Sequence, residues 1–201
     1  MKKLLLTLFM VLTFGWMNAQ VAVWLGPRAG VNLANVTDVD GSTKIGAYGG
    51  ASLSINFSKR YALQPEIGFS MQGTKEVYNS HEDLKLTYFT LGVMNKLYLA
   101  EGFHLLVGPE FNFKVNDTFS DWVEDEIYDE EGNYLGEIDA QPFDFVLVGG
   151  LGYDFPFGLS LEARYKQGLQ DVMDFFNWDD GKSRLNQVFQ IGVVYRFHLN
   201  K

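Results

Sequence analysis

The chain has 201 residues, 47% apolar and 15% aromatic, with 17 Phe, 10 Tyr, 21 Gly, 5 Pro and no Cys, and its formal net charge is −9. That length suits one domain, and the acidity argues against a protein that grips nucleic acid through phosphate contacts. The absence of cysteine means that a secreted domain of this sequence holds together by packing or sheet closure, without disulfides.

The first segment, "MKKLLLTLFMVLTFGWMNAQ", places Lys2 and Lys3 before an apolar run over residues 4–16, and Ala19 before Gln20. This pattern predicts a signal peptide over residues 1–19 and a mature domain over 20–201, because the apolar run is too short to span a bilayer as a helix. No later stretch approaches the roughly 18 apolar residues of a transmembrane helix.

Eight segments then show period-2 alternation: residues 24–34, 45–57, 61–73, 85–99, 103–115, 143–155, 159–168 and 187–199. Each is about as long as a tilted membrane-spanning strand. The connections between them alternate in length. Long ones cover residues 35–44, 74–84, 116–142 and 169–186, and short ones read "SKR" (58–60), "AEG" (100–102) and "PFG" (156–158). In an antiparallel meander this puts all long loops at one end and all short turns at the other, the asymmetry of bacterial outer-membrane barrels.

One face of the segments carries Leu105, Val107, Phe111, Phe113, Phe143, Phe145, Leu147, Leu151, Phe189, Ile191, Val193, Tyr195 and Phe197; the other carries His104, Glu110, Asn112, Lys114, Asp144, Asp154, Gln190, Arg196 and His198. Glycines such as Gly30, Gly50, Gly68, Gly150 and Gly192 share the polar face, where a narrow lumen demands small residues. Phe57, Tyr61, Tyr98, Phe103, Phe155, Phe157 and Phe197 gather near the short turns, as an interfacial aromatic girdle does. The apolar face is therefore expected to meet lipid. Arg28, Glu66, Lys96, Glu110, Asp144, Glu162, Arg164 and Arg196 are expected to form a paired charge network in the lumen, with Lys166 on the same inward parity as Glu162 and Arg164. The predicted fold is all-β: an eight-stranded antiparallel up-and-down transmembrane β-barrel with both termini in the periplasm.

The long loops hold 19 acidic residues against four basic ones. Within the third loop, "EIYDEEGNYLGEID" predicts a small hairpin in which Ile127 and Tyr128 pair with Tyr134 and Leu135 around a turn at 130–133. The acidic run reads as a solvated face. Calcium through Asp125, Asp129, Glu130 and Glu131 is an alternative, although their spacing is not that of an EF-hand, and a basic partner protein is a third. The fourth loop places Phe175, Phe176 and Trp178 among aspartates, either folded over the barrel mouth or dipping into the lipid interface, or available to anchor a partner or glycan.

Several strings resemble the outer-membrane β-barrel family labelled PorT-like, found in Gram-negative bacteria: "GPRAGVNLANV" (26–36), "LQPEIGFSMQG" (63–73), "LLVGPEFNF" (105–113), "FDFVLVGGLGYDF" (143–155), "LSLEARYKQGL" (159–169) and "FQIGVVYRF" (189–197). The resemblance spans nearly the whole mature chain and implies an eight-stranded outer-membrane barrel. Through the namesake it also implies an association with protein secretion. The chain departs from the pattern in its long acidic third loop and in "HLNK" following Phe197.

No nucleophile elbow, P-loop or dinucleotide fingerprint is present, and His81, His104 and His198 lack zinc-ligand spacing. The expectation is a non-enzymatic integral outer-membrane protein with acidic external loops in structural or interaction roles. Catalytic, cofactor and metal residues are not expected. Outer-membrane lipid and other envelope proteins are the expected partners, nucleic acid is not, and the barrel is expected to be monomeric in the membrane. Two readings of other classes stay open: a soluble periplasmic lipocalin-like carrier, and a lipid-modifying barrel enzyme using His81 with Ser80 and Asp83.

Overall fold

In the computed structural model the described residues are 21–39, 41–75, 83–118, 127–128, 134–136, 141–172 and 183–199. The signal segment, His81, Ser80, the four calcium candidates and Phe175, Phe176 and Trp178 lie outside them.

Eight long strands form the barrel wall: β1 (Ala22–Val36), β2 (Ser42–Ser58), β3 (Tyr61–Lys75), β4 (Leu84–Tyr98), β5 (Phe103–Asp117), β8 (Phe143–Asp154), β9 (Leu159–Asp171) and β10 (Leu185–Tyr195). Each pairs antiparallel with its neighbours in chain order, and β10 also pairs with β1, from Arg28↔Val194 to Val36↔Asn186, which closes the cylinder. Two short strands, β6 (Ile127–Tyr128) and β7 (Tyr134–Gly136), form the expected hairpin in the third loop. A two-residue strand, β11 (Phe197–His198), continues the last wall strand beside β1.

The turns follow from local chemistry. Ser58 closes β2–β3 by accepting the backbone N–H groups of Arg60 and Tyr61 at 3.2 and 3.1 Å. Gly102 (φ 75°) and Gly158 (φ 97°) take the left-handed conformation that the other two short turns require. The strands have 11 to 17 residues, enough for the roughly 9–11 needed to cross a bilayer. They run past the expected segments into what read as loop at 42–44, 74–75, 116–117 and 169–171. Polar residues end the lipid-facing band there without ending the backbone ladder.

Burial is inverted relative to a water-soluble sheet. Lys96 is 0% and Arg164 1% exposed, whereas Phe69 is 56% and Ile191 48% exposed. The soluble-carrier arrangement, with Phe and Leu at the centre, is therefore not the one adopted. The interior is not wholly polar, however. Met94, Leu106, Val146 and Val148 pack together on the β4–β5–β8 side, so the lumen has an apolar flank facing a charged one.

Two assignments need correction. Tyr98 does not join the outer aromatic girdle: it shares the inward parity of Lys96, and its hydroxyl donates to Asp154 at 2.8 Å. His198 does not face the lumen. The strand breaks at Arg196, whose N–H donates to the Gly158 carbonyl at 2.7 Å, and His198 ends exposed, its ring 4.5 Å from that of Trp24.

Glycines on the wall make room for the inward-facing ring of Tyr48. An added Cβ at Gly192 would lie 2.0 Å from the Tyr48 hydroxyl and 2.4 Å from the Ala29 carbonyl oxygen; at Gly30 it would lie 2.1 Å from the Ile191 carbonyl oxygen and 2.7 Å from the Tyr48 ring. Gly192→Val is expected to destabilise the refolded barrel by about 1–3 kcal/mol or more, as overpacking does. Urea unfolding in detergent, followed by intrinsic fluorescence, measures this; a variant as stable as the parent would contradict the packing described.

Candidate functional site

Strand parity and barrel closure bring side chains that are far apart in sequence into the centre of the cylinder, in three tiers. At the short-turn end, Asp154 gathers Lys96 (3.3 Å), Arg196 (2.7 Å), the Tyr98 hydroxyl (2.8 Å) and the Ser160 hydroxyl (2.6 Å). His104 lies against the same carboxylate at 3.7 Å, and its Nδ1 is 3.1 Å from the Gly102 carbonyl, which can only accept, so Nδ1 carries the hydrogen.

In the middle tier, Glu66 receives both terminal nitrogens of Arg164, at 2.8 and 2.6 Å, and also Arg28. Arg164 reaches Glu162 at 2.6 Å, and Gln64 donates to Glu66 at 2.7 Å. Arg28 extends the network to Gln190 (3.1 Å) and lies over the Tyr48 ring at 5.0 Å from its centroid. Bidentate pairing of a planar guanidinium with a carboxylate is the geometry that best compensates the loss of hydration.

Towards the long-loop end, Lys166 pairs with Glu110 at 2.5 Å. Among the described residues Asp144 makes no ion pair; the backbone N–H groups of Gln170, at 3.4 Å, and of Leu169 are turned towards its carboxylate.

All eight lumen residues singled out from the sequence point inward: Arg28, Glu66, Lys96, Glu110, Asp144, Glu162 and Arg164 are buried, and the Arg196 side chain is 9% exposed. Two more residues that parity puts on the polar face join them: Lys166, and Asp154, the hub of the lower tier. With them the named set holds five cations and five carboxylates. Gln64, Tyr98 and His104 add neutral partners that a count of charges alone passes over.

This arrangement has little capacity for chemistry. Ser160 spends its hydroxyl on Asp154 and not on His104, so Ser160, His104 and Asp154 lack the nucleophile–base contact of acyl transfer. Among the described residues no group of three or more His, Cys, Asp or Glu is set to hold a metal ion. A cavity lined by Arg28, Tyr48, Ser70, Thr90, Glu110 and Lys166 measures about 10 Å³, room for about one water. An eight-stranded wall encloses a core that side chains fill.

A family model described as "Outer membrane protein beta-barrel domain" matches residues 18–174. Among solved structures, Neisserial surface protein A is similar with a TM-score of 0.51 and 10% identity, covering 87% of this chain and 97% of that one. Ail, the attachment invasion locus protein of Yersinia pestis, gives a TM-score of 0.44 and 12% identity over 90% of this chain and 100% of that one. OprG from Pseudomonas aeruginosa gives 0.43 and 10% over 89% and 96%. At such identity the likeness to the Neisserial protein concerns the fold alone. No curated protein sequence matches the chain.

Removing one partner of a buried ion pair strands the other. Arg164→Met, which leaves Glu66 and Glu162 short of their main countercharge, is expected to cost about 3–5 kcal/mol. Converting all three together, with Glu66→Gln and Glu162→Gln, is expected to restore much of that loss. Equilibrium unfolding of the refolded variants measures both, and a harmless Arg164→Met would contradict the network as drawn.

Proposed function

This chain belongs to the outer membrane protein beta-barrel domain family and is located in the outer membrane, and from that premise we propose that it is a non-enzymatic barrel of the PorT-like type, working through its external loops and not through its lumen. The observation that carries this reading is the filled interior. Five cations interlocked with four of the five carboxylates, and a cavity of about 10 Å³, leave no water column for ions to follow, since a conducting barrel needs a wider bore.

The outer ends supply the surface for interaction. With 19 acidic and four basic residues in the long connections, the loops repel polyanions and attract basic protein surfaces, raising encounter rates at low salt. Phe175, Phe176 and Trp178 give that surface apolar anchors of the kind that dominate binding energy where charge alone supplies steering. A role beside other envelope proteins, in association with secretion, fits this combination and the family resemblance of the strand motifs. The barrel acts as a monomer in the membrane.

Planar-bilayer recording of the refolded protein tests the sealed lumen: no steady ohmic steps are expected, and reproducible single-channel steps would overturn it. In cells, replacing Phe175, Phe176 and Trp178 together by Ala is expected to preserve heat-modifiable migration, the sign of a folded barrel, while abolishing cross-links to envelope proteins. Unchanged cross-links would remove the anchor role. His81→Ala is expected to leave lipid A and phospholipid acyl patterns unchanged; an altered pattern would favour a lipid-modifying enzyme instead.

A further inference from the structure

The two halves of the lumen differ in how completely their polar atoms are satisfied. In the lower and middle tiers the unpartnered side-chain atoms are the Nε of Arg28, Arg164 and Arg196 and the Nε2 of His104, on side chains otherwise engaged. Towards the long-loop end the situation changes. Tyr88 Oη, Asn112 Oδ1 and Nδ2, Asp144 Oδ2 and Asn186 Oδ1 all lack a hydrogen-bond partner, on residues no more than 2% exposed. Groups so deeply buried and so unsatisfied call for an ordered water or an ion.

The fold brings these residues to the same end of the barrel. Asn112 and Asp144 face each other across the β5–β8 ladder, and Thr90, two residues from Tyr88, faces Asn112 across β4–β5. On the other side the carboxylate of Asp144 leans over Gly168. An added Cβ there would lie 2.6 Å from Asp144 Oδ2 and 3.1 Å from the Asn186 backbone oxygen, so the missing side chain opens the space between Asp144 and β10. Asn186 is held by its amide nitrogen, which donates to Gln72, leaving its Oδ1 available.

Charge separates this cluster from a simple water site. The cation that acts on Asp144, Lys166, pairs directly with Glu110 at 2.5 Å, so no described side-chain cation is in ion-pair contact with the Asp144 carboxylate. With Glu110 Oε1, which lies against Lys166 without a hydrogen bond, five of the six unpartnered atoms at this end are oxygens, a donor set suited to hard cations. One carboxylate with three neutral oxygens makes this a site distinct from a cage of acidic residues.

We propose that Asp144, Asn112, Asn186 and Tyr88 hold one hard cation, sodium or calcium, in the external half of the lumen. The ion neutralises Asp144 and ties β4, β5, β8 and β10 together at the level where the ionic network below gives way to neutral polar residues. It enters from the long-loop side, since the interlocked charges close the other route.

The test uses the full mature chain refolded in detergent, unfolded thermally at fixed pH and ionic strength in choline chloride, sodium chloride or calcium chloride. The melting temperature is expected to rise with sodium or calcium relative to choline and to saturate, by roughly 5–10 °C at about a hundredfold excess over Kd. The salt that produces the rise identifies the ion. Asp144→Asn removes the buried charge and is expected to abolish the increment, and Tyr88→Phe to move its midpoint several-fold to higher concentration. Identical melting in all three salts overturns the proposal. So does an increment that persists in full in both variants, which would assign the ion to the acidic loops.

Discussion

Closure of the backbone ladder is the constraint on which everything else in this protein depends. In hydrocarbon an unpaired N–H or C=O has no water to turn to, so a sheet can enter a bilayer only without free edges. Here the last wall strand supplies that closure by pairing with the first over nine residue pairs, from Arg28↔Val194 to Val36↔Asn186. A sheet closed at eight strands fixes the diameter, and with it how much the interior can hold.

The lumen chemistry is a consequence. An interior this narrow must be filled by side chains, yet the alternation that faces Phe and Leu to lipid sends the polar half of each strand inward. Charges in such a space survive through mutual pairing, and the wall responds in two ways. Glycines such as Gly30 and Gly192 thin it where Tyr48 needs room, and the Met94–Leu106–Val146–Val148 cluster fills the flank that charges do not occupy. The cylinder is thus held by its ladder and plugged by its own paired side-chain charges.

Much of this was legible in the sequence, because period-2 alternation encodes face directly. The segment at 159–168 alternates Leu161, Ala163 and Tyr165 with Glu162, Arg164 and Lys166, and nothing beyond parity is needed to send the second set to the same side as Glu66 and Arg28. Loop-length asymmetry separates a short-turn end from a long-loop end. What parity could not convey is tier: that Arg164 bridges Glu66 and Glu162 while Glu110 takes Lys166 depends on strand stagger around the barrel, a long-range quantity absent from any local window. Tyr98 was misassigned because aromatic residues near a turn suggest a girdle, when its two-residue offset from Lys96 already placed it inside. His198 was misassigned for the opposite reason, since parity was carried across a break at Arg196 that local pattern does not reveal.

Orientation of the two faces is tested most directly by spin labelling, which the absence of native cysteine makes clean. Single labels at Phe145, Ile191 and Phe111, and at their neighbours Asp144, Gln190 and Asn112, are introduced by substitution to Cys and compared in lipid vesicles for collision with oxygen and with a water-soluble nickel chelate. The account predicts high oxygen accessibility at the first three positions and low accessibility to both reagents at the second three. The reverse pattern, with labels at 145, 191 and 111 shielded and those at 144, 190 and 112 open to the chelate, would contradict it.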